Sequence, residues 1–405
     1  MIYYCSLDWK PSLVNLITCN ESLEKFCSKA AEKKFVTVDT EFLRERTYFS
    51  KLCLIQMAYK GDGISDAAII DVQSKNLSLK PVYDLLQNET VLKVFHAARQ
   101  DLEIFFLEKK IFPKPFFDTQ VAGMVCGFGD QVGYETLVKK LACVSIDKTS
   151  RFTNWSQRPL SIQQLNYAIS DVTHLRTVYE ELQIMLEENG RSEWLEEELA
   201  ALLDPKTYDN NPEKAWRRIK TKNNNLAFLS MVKALAGYRE ELAQLKNVPR
   251  NRVLRDEMII ELASMRPKSI LDLKKSRLLN EENKKGSAGD AILEVINNPL
   301  ALSDEEVKKF TGVEIKKMNS NGLPELLRVL LKSSSEKWGV AQKLIASSSD
   351  LDELANLENP EIPALQGWRK KVFGNDALRL KSGEIALSSE NGALKIIDLK
   401  KKRFR

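Results

Sequence analysis

The sequence is poor in histidine, with only His96 and His174 among 405 residues. A metal centre built from several imidazoles is therefore excluded, and any hard cation would have to be bound by carboxylates. The six cysteines are scattered without a CxxC pair, so we expect free thiols in a reducing cytosol, not a disulfide framework or a zinc site. No run approaches the ~20 apolar residues of a membrane span, and no secretory leader is visible. A cytoplasmic protein outside the membrane is expected.

The overall composition is ordinary, but the charge is unevenly spread. Hydrophobic residues make up 43% of the chain and charged residues 29%, which excludes a fibrous or disordered chain. Residues 1–200 hold 23 Lys/Arg against 28 Asp/Glu, whereas residues 201–405 hold 38 against 28. A basic second half could bind a polyanion while the acidic half binds cations. Compositional drift would give the same asymmetry.

The first half of the chain has the pattern of an α/β domain. Apolar or β-branched runs of strand length occur at residues 35–39, 52–59, 67–72 and 91–95, and helical periodicities lie between and after them. A long helix is predicted over residues 159–189. Strands that cluster early, with helices interleaved later, favour a mixed sheet flanked by helices.

The second half is predicted to be all-α. The sequence DNNP at 209–212 indicates a linker. Short helical runs broken by prolines and serines then predict two helical bundles of ~85 residues each. The predicted organisation is an α/β domain at 1–208, helical domains at 209–298 and 299–390, and a basic tail at 391–405.

Three short motifs place acidic residues where chemistry is possible. Asp39 and Glu41 end the first predicted strand, on which residues i and i+2 point to the same side. Asp101 opens a predicted helix directly after a strand, at the sheet edge where α/β proteins build sites. Tyr167 and Asp171 lie one turn apart on the long helix. Each motif alone is more often structural: a solvated strand end, a helix-start aspartate, or a buried tyrosine beside a surface aspartate.

Taken together, the motifs point to one family. FVTVDTEF, HAARQDLE and YAISD resemble the motifs of the DEDD 3′–5′ exonucleases with tyrosine in the last motif, and the sequence around them is similar to ribonuclease D over residues 12–200. AWRRIK and LAGYREELAQLKNVPRNRVLRDEMIIELA are similar to an HRDC helical domain, and residues 300–390 resemble a second, weaker repeat of it. The resemblance implies a ribonuclease H-like mixed sheet flanked by helices, followed by two all-α HRDC-type bundles.

The resemblance also implies phosphodiester hydrolysis with two divalent cations, Mg²⁺ or Mn²⁺. Two cations ~3.5–4 Å apart stabilise both the attacking and the leaving oxygen of an in-line displacement, and carboxylates are the ligands that such cations prefer. In the family pattern Asp39 would bridge the two cations. Glu41 and Asp171 would complete the site of the attacking water, Asp101 would bind the second cation, and Tyr167 would orient the water.

The substrate implied by the resemblance is RNA with a single-stranded 3′ end, above all tRNA precursors, which a monomeric enzyme would shorten to 5′-mononucleotides. Phe42 and Gln100 are candidates for contacts with the terminal nucleotides. Trp216, Arg217 and Arg218 are candidates for contacts with the rest of the RNA, because basic residues beside an aromatic suit phosphate contact and stacking. Two alternatives stay open: a 3′–5′ DNA exonuclease, and an RNA-binding scaffold with a degenerate nuclease fold.

Three residues near these motifs receive other interpretations. His96 is interpreted as a histidine at a strand–helix junction, not as a metal ligand. Asp118 is interpreted as structural support. Arg158 could meet phosphate, although a place in a solvated loop is at least as compatible with the sequence.

Overall fold

The structure, a computed structural model, describes residues 14–61, 66–147, 150, 153–221, 223, 225–303, 306 and 322–399. These residues fall into two compact units. We call them the sheet unit, drawn from residues 1–41, 52–207 and 315–405, and the helical unit, drawn from residues 42–51 and 208–314.

A mixed sheet forms the centre of the sheet unit. Its strands are β1 Leu16–Ile17, β2 Phe35–Leu43, β3 Lys51–Tyr59, β4 Ala67–Ile70, β5 Leu92–Phe95 and β6 Phe116–Asp118. They lie in the order β1-β4-β3-β2-β5-β6. β2 pairs in parallel with β5 and β5 with β6, whereas β3 and β4 are antiparallel. The predicted mixed sheet is confirmed, but β6 was missed because three residues are too few to show a strand pattern.

The α-helices of this part of the chain lie between the strands and after β6 in sequence. The described ones are α1 Asn20–Ala31, α2 Lys80–Gln87, α3 Arg99–Lys109, α4 Thr119–Val125, α5 Tyr134–Leu137, α6 Ile162–Glu188 and α7 Ser192–Leu202. α6 begins with a capping box, in which the side chains of Ser161 and Gln164 each accept a hydrogen bond from the other residue's backbone N–H. Its buried face includes Ala168, Val172 and Leu175, as the apolar spacing predicts.

The helical unit is built around one hydrophobic core. Its α-helices are α8 Leu226–Leu245, α9 Arg250–Val253, α10 Asp256–Met265, α11 Ile270–Leu273 and α12 Gly286–Asn297. Trp216 lies in a 3₁₀ segment, Pro212–Arg218, and its side chain is 0% exposed among Phe228, Leu229 and other core residues. The prediction that Trp216 binds RNA is therefore wrong, because a fully buried indole presents no face to a base.

The segment between β2 and β3 belongs to the helical unit. Tyr48 is buried, and its hydroxyl lies within hydrogen-bonding distance of Glu240, of Gln244 Nε2 at 3.2 Å and of Arg250 Nη2 at 2.8 Å. The backbone N–H groups of Tyr48 and Phe49 both donate to Asn247 Oδ1 at 3.1 Å. This segment, residues 44–50, is thus fixed by hydrogen bonds with side chains of the helical unit.

Tyr48→Phe is expected to lower the free energy of unfolding by about 1–2 kcal/mol, because it removes the shared hydroxyl from a buried network. Glu240 would keep its hydrogen bonds with Arg250, among them the one from Nε to Oε2 at 2.6 Å, so a total collapse of the network is not expected. Urea unfolding followed by circular dichroism measures the change. Lys246→Ala, at an exposed neighbour of the network, is the control. Equal stability of Tyr48→Phe and the wild type would contradict the assignment.

The C-terminal part of the sheet unit is helical and ends in a hairpin. Its elements are α13 Leu323–Trp338, α14 Gln342–Ile345, α15 Ser348–Asn356, α16 Gly367–Arg369, α17 Asn375–Lys381, β7 Ile385–Glu390 and β8 Ala393–Asp398. β7 and β8 pair antiparallel. β8 lies in the segment that the sequence assigns to the basic tail, and residues 400–405 of that tail lie outside the described residues.

Several contacts join this C-terminal part to α4 and α7. The ring of Trp194 stacks on that of Trp368, with centroids 4.5 Å apart and planes at 9°. Arg191 Nη1 donates to the carbonyls of Val125 and Gly339, each at 2.9 Å. Aromatic stacking and charge-assisted hydrogen bonds therefore both stabilise the sheet unit at this place.

Candidate active site

Three carboxylates meet where β2 passes α6. Asp39, Glu41 and Asp171 each offer an oxygen, and these oxygens lie within 4.8 Å of one another. Asp39 and Glu41 share a side of the strand because they are two residues apart. The Oγ1 of Thr37 lies 2.8 Å from the carbonyl of Val172 and 3.0 Å from that of Ala58. Thr37 thus holds α6, and with it Asp171, against the strand.

Asp101 adjoins this group through a hydrogen bond with Thr40. It stands in the first turn of α3, directly after β5, and is 5% exposed. The hydroxyl of Thr40, which lies between Asp39 and Glu41 in sequence, donates to Asp101 Oδ1. Burial, and then the negative charge of Asp39, raise the pKa of Asp101 well above its ordinary value. The charge effect indicates that Asp101 lies in the field of Asp39.

The electrostatics of the group fit a bound cation. Burial also raises the pKa of Asp39, although the Thr40 N–H acts against the shift. A positive charge between two neighbouring carboxyls lowers the pKa of both, so that both can be ionised at neutral pH. The donors are all oxygens, the type that Mg²⁺ and Mn²⁺ prefer. The cluster of Asp39, Glu41 and Asp171, with Asp101 beside Asp39, is therefore compatible with a bound divalent metal.

The raised pKa values predict a pH-dependent effect of metal on thermal stability. A carboxyl whose pKa is higher in the folded state stabilises the fold at low pH, and that contribution is lost as the pH rises towards the folded-state pKa. A bound cation should offset this loss. The rise in Tm on adding Mg²⁺ or Mn²⁺ to EDTA-treated protein should therefore be larger at about pH 8 than at about pH 5. An equal rise at both pH values would contradict the account.

Tyr167 lies one turn before Asp171 on α6, next to two further aromatic side chains. Its ring centroid is 6.0 Å from that of the buried Trp155. Tyr134, on the short helix α5, donates its hydroxyl hydrogen to the carbonyl of Ser170 at 3.0 Å. Burial and the charges of Asp171 and Asp39 raise the pKa of Tyr134 well above its ordinary value. Tyr134 is a residue of the site that sequence reasoning missed, because nothing in its local pattern links it to α6.

His96 and Asp118 stabilise the junctions around the site. Burial lowers the pKa of His96 to about 4, so its ring is neutral, and Nδ1 lies 3.0 Å from Thr119 Oγ1. The carboxylate of Asp118 accepts hydrogen bonds from the N–H groups of Ala97, Ala98 and Gln120 at 2.8–3.1 Å. These hydrogen bonds agree with the interpretation of His96 as a junction residue and of Asp118 as structural support.

The candidate RNA-contacting residues differ in exposure. Gln100, Arg217 and Arg218 are exposed and Phe42 is partly buried, so all four can reach a ligand, whereas Trp216 cannot. The side chain of Arg158 is already engaged by Asp71 and by backbone carbonyls, which makes it unsuited to bind phosphate.

Comparison with known proteins agrees with this geometry. Residues 14–187 match the family model of a 3′–5′ exonuclease, and residues 228–296 match that of an HRDC domain. The chain is 50% identical to ribonuclease D of Jannaschia sp. strain CCS1, over 95% of this chain and 99% of the relative. It belongs to the ribonuclease D family. Ribonuclease D of Acidiphilium cryptum strain JF-5 is 48% identical, over 95% and 97% of the two chains.

The structural comparison supports the same fold. The crystal structure of Escherichia coli RNase D, described as an exoribonuclease involved in structured RNA processing, superposes with a TM-score of 0.77 over 92% of this chain and 99% of that chain, at 24% identity. As a member of the ribonuclease D family, the chain is a 3′–5′ exoribonuclease, with an α/β nuclease domain and a C-terminal HRDC helical region. Among the residues that the structure describes, no helix has the length and apolar character to cross a membrane.

Proposed function

We propose that this member of the ribonuclease D family trims the 3′ ends of tRNA precursors and other small structured RNAs, with two divalent metal ions, and releases 5′-mononucleotides. The observation that carries the proposal is the convergence of Asp39, Glu41 and Asp171, with Asp101 bonded to the same strand through Thr40. Four carboxylates are enough to hold two cations between them. The processing of structured RNA by the Escherichia coli enzyme supports this class of substrate.

In this proposal each carboxylate has a defined part. Asp39 would bind both cations, Glu41 and Asp171 would complete the first cation site, and Asp101 would serve the second. The cations, when bound, supply Lewis-acid activation of water and stabilise charge on the reacting phosphate. Tyr167 accepts or donates a hydrogen bond that orients the attacking water. Tyr134 holds the carbonyl of Ser170, which keeps the adjacent Asp171 in place.

Residues outside the four carboxylates are proposed to bind the RNA. Phe42 and Gln100, which flank the carboxylates in sequence, contact the terminal nucleotides. The exposed Arg217 and Arg218 contact phosphates, which would make binding salt-dependent. We further propose that residues 299–390 form a second HRDC-type domain and that the enzyme acts as a monomer in the cytoplasm.

A trimming assay tests this function. The substrate is a 5′-labelled tRNA with a short unpaired 3′ extension, beside a single-stranded DNA of matching sequence, with Mg²⁺ or Mn²⁺. The expected result is a ladder of RNA products shortened from the 3′ end, with 5′-mononucleotides released, and no ladder in EDTA. Equal trimming of the DNA would favour the broader nuclease. Tight RNA binding without cleavage would favour the scaffold.

A further inference from the structure

Arg158 is held by the protein through every one of its donors. Its Nε donates to Asp71 Oδ2 and its Nη2 to Asp71 Oδ1, both at 2.7 Å. Nη2 also donates to the carbonyl of Cys53 at 3.2 Å, and Nη1 donates to those of Trp155 and Gln157 at 2.7 and 2.8 Å. A guanidinium has five N–H groups, so none is left for a phosphate.

This guanidinium ties one segment to the sheet. Cys53 lies on β3, and Asp71 directly follows β4. Trp155 and Gln157 belong to residues 153–161, the segment that leads into α6. The ion pair is bidentate, and the side chain of Asp71 is only 10% exposed. Bidentate, partly buried pairs of this type are both strong and geometrically specific. The Asp71–Arg158 pair therefore holds this end of the segment against the sheet.

Trp155, in the same segment, packs beside Tyr167. The side chain of Trp155 is 2% exposed, and its ring lies at 32° to that of Tyr167. At the other end, Gln164 Nε2 donates to Thr153 Oγ1 at 3.1 Å. The segment is thus fixed at the sheet by Arg158 and at the first turn of α6 by Gln164, with Trp155 between them.

We propose that the Asp71–Arg158 pair is a positioning device for Tyr167, and that it acts through Trp155. With the pair intact, the indole restricts the rotation of the phenol, so the hydroxyl stays where the attacking water must be oriented. Without the pair, Trp155 moves and the phenol samples other positions. Neither Asp71 nor Arg158 touches the substrate. The inference rests on the role proposed above for Tyr167.

A double-mutant cycle tests the inference on the full-length enzyme. The four proteins are the wild type, Asp71→Asn, Tyr167→Phe and the double variant, each assayed for kcat and KM on the tRNA with the 3′ extension. Asp71→Asn should lower kcat about tenfold and leave KM within about twofold. In the Tyr167→Phe background the same substitution should change kcat by less than about twofold, because its target is already absent.

The outcomes separate this inference from the function on which it rests. A wild-type kcat for Tyr167→Phe would remove the proposed role of Tyr167, and the inference with it. A reduced kcat for Tyr167→Phe, with an equal further loss from Asp71→Asn, would overturn the inference alone. A raised KM with a changed salt dependence in Asp71→Asn would mean that the pair serves RNA binding.

Two further variants keep the test decisive. Trp155→Phe leaves the ion pair in place and alters only the aromatic contact with Tyr167. Its effect on kcat should therefore also be non-additive with that of Tyr167→Phe. This test remains available if Asp71→Asn fails to fold. Additive losses from Trp155→Phe would overturn the inference. The control is Glu180→Gln, which removes the charge from an exposed ion pair, Lys60 Nζ–Glu180 Oε1 at 2.7 Å. Lys60 follows β3 and Glu180 lies on α6. This variant should leave kcat unchanged.

Discussion

Asp39→Asn should lower kcat for 3′-end trimming by about 10³-fold or more, equivalent to a rise of roughly 4 kcal/mol in the activation barrier. The amide keeps the shape of the side chain but brings no negative charge to the place where Asp39, Glu41 and Asp171 converge. A cation between them would lose the ligand proposed to serve both sites. KM should change much less, because the proposed RNA contacts also lie outside the carboxylates.

The control for this variant is Asp84→Asn, which makes the same chemical change at an exposed ion pair with Lys80 on α2. It should trim RNA at the wild-type rate. The metal-induced rise in Tm gives a second readout, which should shrink in Asp39→Asn and persist in Asp84→Asn. Wild-type trimming by Asp39→Asn would contradict the assignment of the site and favour the scaffold interpretation.

Trp216→Ala should destabilise the helical unit by about 3–5 kcal/mol, the usual cost of truncating a fully buried large aromatic side chain. The indole is fully buried in a core that includes Leu235, Ile259 and Leu262. Trp216→Phe should cost less, since it retains most of the apolar volume. Urea unfolding measures both changes.

RNA binding by the same variants decides between a core residue and a stacking residue. If Trp216 is part of the core, Trp216→Phe should bind RNA as the wild type does, whereas removal of the charges at Arg217 and Arg218 should weaken binding and reduce its salt dependence. A Trp216→Ala protein that is as stable as the wild type but has lost RNA binding would restore the original prediction.

The sequence was most informative where function depends on local spacing. Asp39 and Glu41 share a strand, and Tyr167 and Asp171 share a helix, so their side chains could be placed on common faces before any tertiary structure was known. Asp101 could be placed at a sheet edge because it follows a strand. The structure brings Asp39, Glu41 and Asp171 together and joins Asp101 to them through Thr40.

Sequence reasoning failed where a role depends on partners far away in the chain. Arg158 stands in a basic, polar stretch, yet its carboxylate partner Asp71 lies 87 residues earlier. Tyr134 reaches Ser170 from a helix of four residues. Trp216 was misjudged because the arginines beside it suggested a binding surface, although a single tryptophan among charged residues can equally be the residue that enters the core.

Anomalous diffraction from crystals grown with Mn²⁺ tests the central claim most directly, because it locates the cations without reference to activity. The account predicts two anomalous peaks about 3.5–4 Å apart, with Asp39 touching both, Glu41 and Asp171 at one peak, and Asp101 on the side of the other. Peaks elsewhere, or none among these four carboxylates at saturating Mn²⁺, would contradict it.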